Sequence, residues 1–201
     1  MNNRLDQIFF ERPVLTVARE LLGQRLVRRL NGQRIAGLIC ETEAYRGEED
    51  LACHARAGRT ARTEVMYGPA GHAYVYFTYG MHWMLNFVCE GEGFPAAVLL
   101  RAIQPAEGIE IIAERRSGQP PARWTDGPAK ICKALDIDGS LNGISITDPD
   151  SLLWVERADP VPDNLVQSTP RIGIPNVPEP WHSMPWRFLY YNKPLSSEEE
   201  K

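Results

Sequence analysis

Asn31-Gly32 stands between two runs rich in β-forming residues, Arg25–Leu30 and Gln33–Tyr45. Asn-Gly best supports the positive φ angles of a tight hairpin turn, so this part of the chain is committed to an antiparallel ribbon with one long strand. Side chains alternate along such a strand. Glu41, Glu43 and Tyr45 therefore share one side, and Cys40, Thr42 and Ala44 take the other. A carboxylate pair beside an aromatic ring closes the long strand.

Around this ribbon the sequence predicts mixed elements. Val14, Val17, Ala18, Leu21 and Leu22 recur at helical spacing, with Pro13 before them and Gly23 after, which predicts a helix over 13–22. Residues 50–70 lack periodicity and read as a long irregular connection, a kind of loop that is usually functional or disordered. Three β-rich runs follow at 73–79, 82–89 and 96–103, separated by Gly80-Met81 and by Glu90-Gly91-Glu92-Gly93, as in an antiparallel meander. Helices are expected at 106–116 and 128–135, and short strands at 144–147, 152–157 and 186–191. The fold class is α+β: a single domain over 1–195, with a mostly antiparallel curved sheet, packed helices and a protruding hairpin, and with 196–201 as a disordered acidic tail.

Composition narrows the function classes. The N-terminus MNNRLDQIFF has no basic-then-apolar signal pattern, and no apolar run approaches the roughly 18 residues of a membrane span, so a cytoplasmic, intracellular protein is expected. Cys40, Cys53, Cys89 and Cys132 are widely spread, without a C-x-x-C pair, and read as reduced and mostly buried. The net charge of −4 and pI near 5.6 argue against a nucleic-acid binder when taken alone. The charge is segregated, however: residues 1–34 carry seven arginines against three acids, so a local basic face is compatible with the total.

The residues permit several chemistries. Two positions along a strand span about 6.6 Å, which approaches the separation that inverting glycosidases use around an activated water. Spacing alone separates neither Glu41 from Glu43 nor a catalytic pair from two solvated carboxylates at a strand end. Alternation places His72, Tyr74, Tyr76 and Thr78 on one face, with Tyr79 at the approach to a turn. Such a face could stack a planar base, and a Tyr at a turn could wedge into a duplex; tyrosines also simply suit strands. His54, His72, His82 and His182 form no zinc-protease or deaminase signature, and the phosphate-loop, nucleophile-elbow and dinucleotide motifs are absent from the sequence.

The segments ETEAY, LACHARAGR, YVYFTYGMHWMLN, VLLRAIQP and DGPAKICKAL, in this order and spacing, resemble the alkyladenine (3-methyladenine) DNA glycosylase family over roughly Phe9 to Tyr190. Each piece is weak alone, but five in order are specific. The resemblance implies a fold similar to the C-terminal domain of tRNA formyltransferases, with a hairpin presented to the minor groove of damaged double-stranded DNA. It implies a monomer with no metal or organic cofactor.

By the same resemblance, Glu43 matches the general base, Arg101 the arginine that helps it hold the attacking water, and Glu41 a residue with no assigned chemical role. Tyr45, His54 and Tyr76 match residues that sandwich the extruded base, and the backbone N–H of His54 a donor to its edge. Tyr74 matches a tyrosine supporting the histidine. Tyr79 matches the side chain that fills the gap in the duplex, and Asn86 a gate against the 2-amino group of guanine. Arg12, Arg25, Arg28, Arg59, Arg62 and Lys130 are candidate phosphate contacts. The implied reaction is removal of alkylated or deaminated purines without a lysine Schiff base. Two other readings remain: a non-catalytic nucleic-acid-binding module of the same fold, and a metal hydrolase built on the histidines.

Overall fold

The Asn31-Gly32 hairpin forms. In the computed structural model, which describes residues 3–190, β1 (Arg25–Leu30) and β2 (Gln33–Arg46) pair antiparallel with Leu30 opposite Gln33. Asn31 and Gly32 take φ of 50° and 77°, as the twist of a two-residue turn requires. β2 is long enough to serve two neighbours on one edge. Its first half pairs with β1, while Glu41–Glu43 pair with β8 (Arg187–Tyr190). Its other edge pairs with β5 (Ala96–Glu107), so Glu43 sits on an interior strand.

The sheet continues through β4 (His82–Val88) and β3 (Ala73–Thr78), giving the order β3-β4-β5-β2-β1-β6, with β6 at Leu153–Glu156. β7 (Val166–Thr169) joins through β8, and all these pairings are antiparallel. One face of the sheet carries Ala44, Ala73, Val75, Leu85, Phe87, Val98 and Leu100, all buried in the main core. Against this face lie α2 (Val14–Glu20), over β2 and β5, and α4 (Pro128–Leu135), over β4 and β5. Val14, Val17, Ala18, Ile131, Cys132, Ala134 and Leu135 face inward, and each large aliphatic buried this way contributes about 1.5–3 kcal/mol. Thr42 also points into this core and donates to the Ala18 carbonyl at 2.8 Å. The opposite face, with Glu43 and Tyr45, is left for the site.

Several expectations need correction. Residues 106 and 107 belong to β5 and not to a helix, because pairing with β2 runs on to Glu107. Gly108, at φ 67°, then turns the chain into α3 (Ile109–Arg115). The strand expected at 144–147 is reduced to a single bridge between His72 and Ser145. A four-residue helix α1 (Gln7–Phe10), capped by Asp6 on the Phe9 N–H, and β7 were not expected. The expected strands 152–157 and 186–191 appear as β6 and β8, while Tyr191 and the tail 196–201 lie outside the described residues. Residues 50–70 form turns and two 3-10 segments, His54–Ala57 and Glu64–Tyr67. Cys53, Cys89 and Cys132 are buried, Cys40 is half-buried, and all four are free thiols.

Candidate active site

The site grows out of the alternation that built the core. Tyr74, Tyr76 and Thr78 of β3, Met84 and Asn86 of β4, and Ala97, Leu99 and Arg101 of β5 point to the face opposite the helices, next to Tyr45 of β2. Together they floor a pocket of about 250 Å³. Cys53, His54 and Met66 from the irregular connection wall one part of it, and Ile172, Gly173 and Ile174 another.

Two compensating irregularities aim the charges. Between β2 and β5 the partner of Ile39 is Ile103, that of Glu41 is Ala102, and that of Thr42 is Leu100. One extra residue at Cys40 on β2 is thus cancelled by one at Arg101 on β5. Bulges of this kind re-aim side chains without shifting the flanking register. Here Arg101 forks between the acids: its Nε donates to Glu41 at 2.8 Å and its Nη1 to Glu43 at 3.2 Å. Glu41 also accepts from Arg187 Nε at 2.6 Å. The acid without an assigned role therefore clamps Arg101 from behind.

Glu43 is fully buried. Its Oε2 accepts from the Tyr45 hydroxyl at 2.8 Å and from Arg101, and its Oε1 accepts from the Ile172 N–H at 2.6 Å. Burial pushes its pKa above the ordinary carboxylate value, although Arg101, the Ile172 N–H and the Tyr45 hydroxyl all pull the other way. Burial and the adjacent Glu43 push the Tyr45 phenol well up, so it stays a donor. A carboxylate whose protonation is so finely opposed suits a proton acceptor.

The aromatic groups are ordered around it. His54 Nδ1 lies 3.0 Å from the Tyr74 hydroxyl, and the His54 ring stands edge-on to Tyr76 with centroids 4.5 Å apart. Burial, then Arg62 and Arg56, lower the His54 pKa to about 4, so at neutral pH the imidazole is uncharged. The Asn86 amide donates to the Tyr74 carbonyl at 3.0 Å, which fixes its orientation. Burial raises the Cys53 thiol to about 12, which removes it as a nucleophile.

Tyr79 occupies the tip of the β3–β4 hairpin at φ 53°, followed by Gly80 at 67°, and among the described residues it is the most exposed large apolar side chain at 79%. Met81 and Phe77 flank it at 68% and 46%. Among the candidate phosphate contacts, Arg62 stands beside two of the pocket's tyrosines, over the Tyr76 ring at 5.2 Å and in reach of Tyr74. Arg59 forks onto Glu64, Lys130 pairs with Asp126, Arg12 with Glu20, and Arg25 with Glu107. Arg28 is buried, and its Nη1 donates to the carbonyls of Arg29 and Leu152, which withdraws it from the surface. Among the described residues no group of three or more His, Cys, Asp or Glu is placed to hold a metal ion, and no helix is long and apolar enough to cross a membrane.

The family resemblance assigned Glu43, Tyr45, His54, Tyr74, Tyr76, Asn86 and Arg101 to one site, and in the structure these side chains lie together. Sequence reasoning missed Asp50, Arg171, Ile172 and Arg187. Asp50 follows Glu48-Glu49 and reads as part of a solvated acidic turn, while the other three lie in Pro-rich or short segments with no periodicity.

A family model described as Methylpurine-DNA glycosylase (MPG) matches residues 8–194. Similar curated proteins carry the name "Putative 3-methyladenine DNA glycosylase". One from Myxococcus xanthus (strain DK1622) is 48% identical over 185 residues, covering 92% of this chain and 89% of the relative. One from Methanocella arvoryzae is 46% identical over 198 residues, covering 96% of each. One from Carboxydothermus hydrogenoformans is 44% identical over 194 residues, covering 96% of this chain and 98% of the relative. With nearly its whole length matched, the chain belongs to the methylpurine-DNA glycosylase family.

Proposed function

We propose that this protein extrudes alkylated or deaminated purines from duplex DNA and hydrolyses their N-glycosidic bond with a water activated by Glu43, opening base-excision repair. Its family makes it a DNA glycosylase of the 3-methyladenine type, a hydrolase of N-glycosyl bonds. The observation that carries the finer reading is the buried Glu43 carboxylate, held by Arg101, Tyr45 and Ile172 beneath an aromatic pocket.

The chemistry follows from those contacts. An enzyme cannot reach C1′ inside a stacked duplex, so the base must leave the stack, at least cost where it is damaged or mismatched. Tyr79 enters the minor groove and fills the gap, and the base slides between Tyr45 on one side and His54 with Tyr76 on the other. Arg171 covers one face of Tyr45, at 4.7 Å from the ring centroid, which leaves the other face for the base. The backbone N–H of His54 meets the base edge. Three donors fill three of the roughly four lone-pair positions of Glu43. The fourth takes the water, whose proton passes to Glu43 as its oxygen bonds to C1′ and the C1′–N bond breaks; a cationic alkylated purine keeps that electron pair and leaves neutral, while a neutral purine takes a proton from solvent as it leaves. The negative charge of Glu43 also stabilises the oxocarbenium-like transition state. Arg62, Arg59 and Lys130 meet phosphates, the latter two by exchanging Glu64 and Asp126 for the backbone.

The competing reading, a binding module of the formyltransferase C-terminal type, has no use for a carboxylate buried behind the pocket. Incubating the monomeric protein with duplexes carrying one 3-methyladenine, hypoxanthine or ethenoadenine, with and without a chelator, tests the proposal. Abasic sites are expected from at least one lesion, none from undamaged DNA, and no effect of the chelator. Failure on every lesion would remove the proposal.

Asn86 supplies a specificity test. Its amide is fixed by the Tyr74 carbonyl, and in the proposed complex it collides with the 2-amino group of guanine. Asn86→Ala is expected to raise excision of guanine, relative to hypoxanthine, by about 10- to 200-fold, the worth of one steric or polar discrimination. An unchanged ratio would take the gate role away from this side chain.

A further inference from the structure

The function proposed above requires that Tyr45, His54 and Ile172 stand in one geometry around Glu43, yet they come from three unconnected stretches of chain. One fully buried carboxylate ties the three together. Asp50 Oδ2 accepts from the N–H of Arg46, the neighbour of Tyr45, at 3.2 Å. Its Oδ1 accepts from the N–H of Ala52, two residues before His54, at 3.0 Å. Both oxygens take the guanidinium of Arg171, at 2.5 and 2.8 Å, and Arg171 is the neighbour of Ile172.

Arg171 is itself buried and repeats the pattern. Its Nη1 donates to the carbonyl of Ala44, the residue between Glu43 and Tyr45, at 3.0 Å, and its Nη2 to the carbonyl of Trp181 at 3.2 Å. Its guanidinium lies over the rings of both Tyr45, at 4.7 Å, and Trp186, at 5.0 Å. A buried ion pair contributes little more to stability than an apolar pair of the same volume, so stability alone gives no reason for one here. A rigid planar fork does give one, because it fixes direction as well as distance.

We propose that Asp50 and Arg171 form a positioning pair, whose fork holds Tyr45, His54 and Ile172 in register around Glu43 so that carboxylate, water and stacked base meet in a reactive geometry. Neither residue touches substrate. The pair acts through the Ile172 N–H on Glu43, the Tyr45 ring plane and the approach to His54.

The test uses the full chain and an ethenoadenine duplex. The wild type and Glu43→Gln are compared with the double variant Asp50→Leu/Arg171→Met and with Arg171→Lys. The double variant removes both charges without stranding either, and Arg171→Lys keeps the charge but loses the fork. Thermal melting reports folding, titration gives the affinity, and single-turnover excision at saturating protein gives the chemical rate across pH. Arg101, Glu41, Tyr45 and Tyr76, the titratable and charged groups facing Glu43, are unchanged in these variants.

The double variant is expected to bind the lesion duplex within a few-fold of wild type and to excise about 10²-fold more slowly, the usual cost of misplacing reacting groups by about 1 Å. The acid limb of its rate should move to higher pH, since Glu43 loses a donor to its ionised form. Arg171→Lys should fall between the two. A folded double variant with wild-type rate and limb would overturn the proposal, as would a loss confined to affinity. If the double variant does not fold, wild-type rate and limb in Arg171→Lys overturn it equally. Excision that survives Glu43→Gln would sink the functional reading and this proposal with it; Glu43-dependent excision that ignores the pair sinks the proposal alone.

Discussion

Glu43→Gln is expected to lower single-turnover excision by about 10²- to 10⁴-fold on every lesion the wild type processes, the range over which a positioned general base acts. The substitution is nearly isosteric, so the pocket keeps its shape and the protein should still bind lesion DNA. What disappears is the proton acceptor and the negative charge beside C1′. The wild-type rate should fall as pH drops through the Glu43 pKa, and burial places that fall above the ordinary glutamate value of about 4.3. A group with a raised pKa loses its charge earlier on acidification, so the active, ionised form is present only above this limb. His54, whose pKa burial lowers to about 4, is uncharged near neutral pH. The Gln variant should show no such limb in its residual rate. Excision within a few-fold of wild type would mean that the water is activated elsewhere.

How much of this was visible in the sequence depends on whether the signal is local. Asn31-Gly32 specifies its hairpin through the backbone angles of two residues, and period-two alternation on β2 correctly puts Glu43 and Tyr45 on the face opposite Thr42 and Ala44. The same alternation assembles Tyr74, Tyr76, Asn86 and Leu99 into one floor, although no single strand reveals that it has a neighbour. Signals created by pairing were invisible. The extra residues at Cys40 and Arg101 exist only as a register difference between two strands. Ala106 and Glu107 suit a helix start, but the long edge of β2 holds them extended until Gly108 breaks the ladder. Asp50 and Arg171 lie far apart in the chain, each in a stretch whose composition suggests solvated loop, and only folding makes them a buried fork. Resemblance chose Glu43 over Glu41; the structure adds a reason, since Glu41 is engaged by two arginines while Glu43 is joined to Tyr45, Arg101 and Ile172, which line the pocket.

Arg101→Met should fail in a different way, and the contrast with Glu43→Gln isolates what the arginine does. Arg101 is the cation that bridges Glu41 and Glu43. Without it Glu41 keeps Arg187 at 2.6 Å, whereas Glu43 keeps only the neutral donors Tyr45 and Ile172 against its burial. Its pKa must then rise further, so at any given pH a smaller share of Glu43 is ionised and able to act as a base. Removing one partner of a buried pair costs about 3–5 kcal/mol when the other charge is stranded. Here protonation of Glu43 offers a cheaper escape, so the melting temperature should fall less at acid pH than at alkaline pH. Excision near neutral pH should drop by at least about 10²-fold, as it does when the base is removed outright. Raising the pH should restore part of the rate in Arg101→Met by ionising Glu43 again, while Glu43→Gln has nothing to ionise. If the Arg101→Met profile keeps the wild-type limb, Arg101 does not govern the charge of Glu43, and its role shrinks to holding the water.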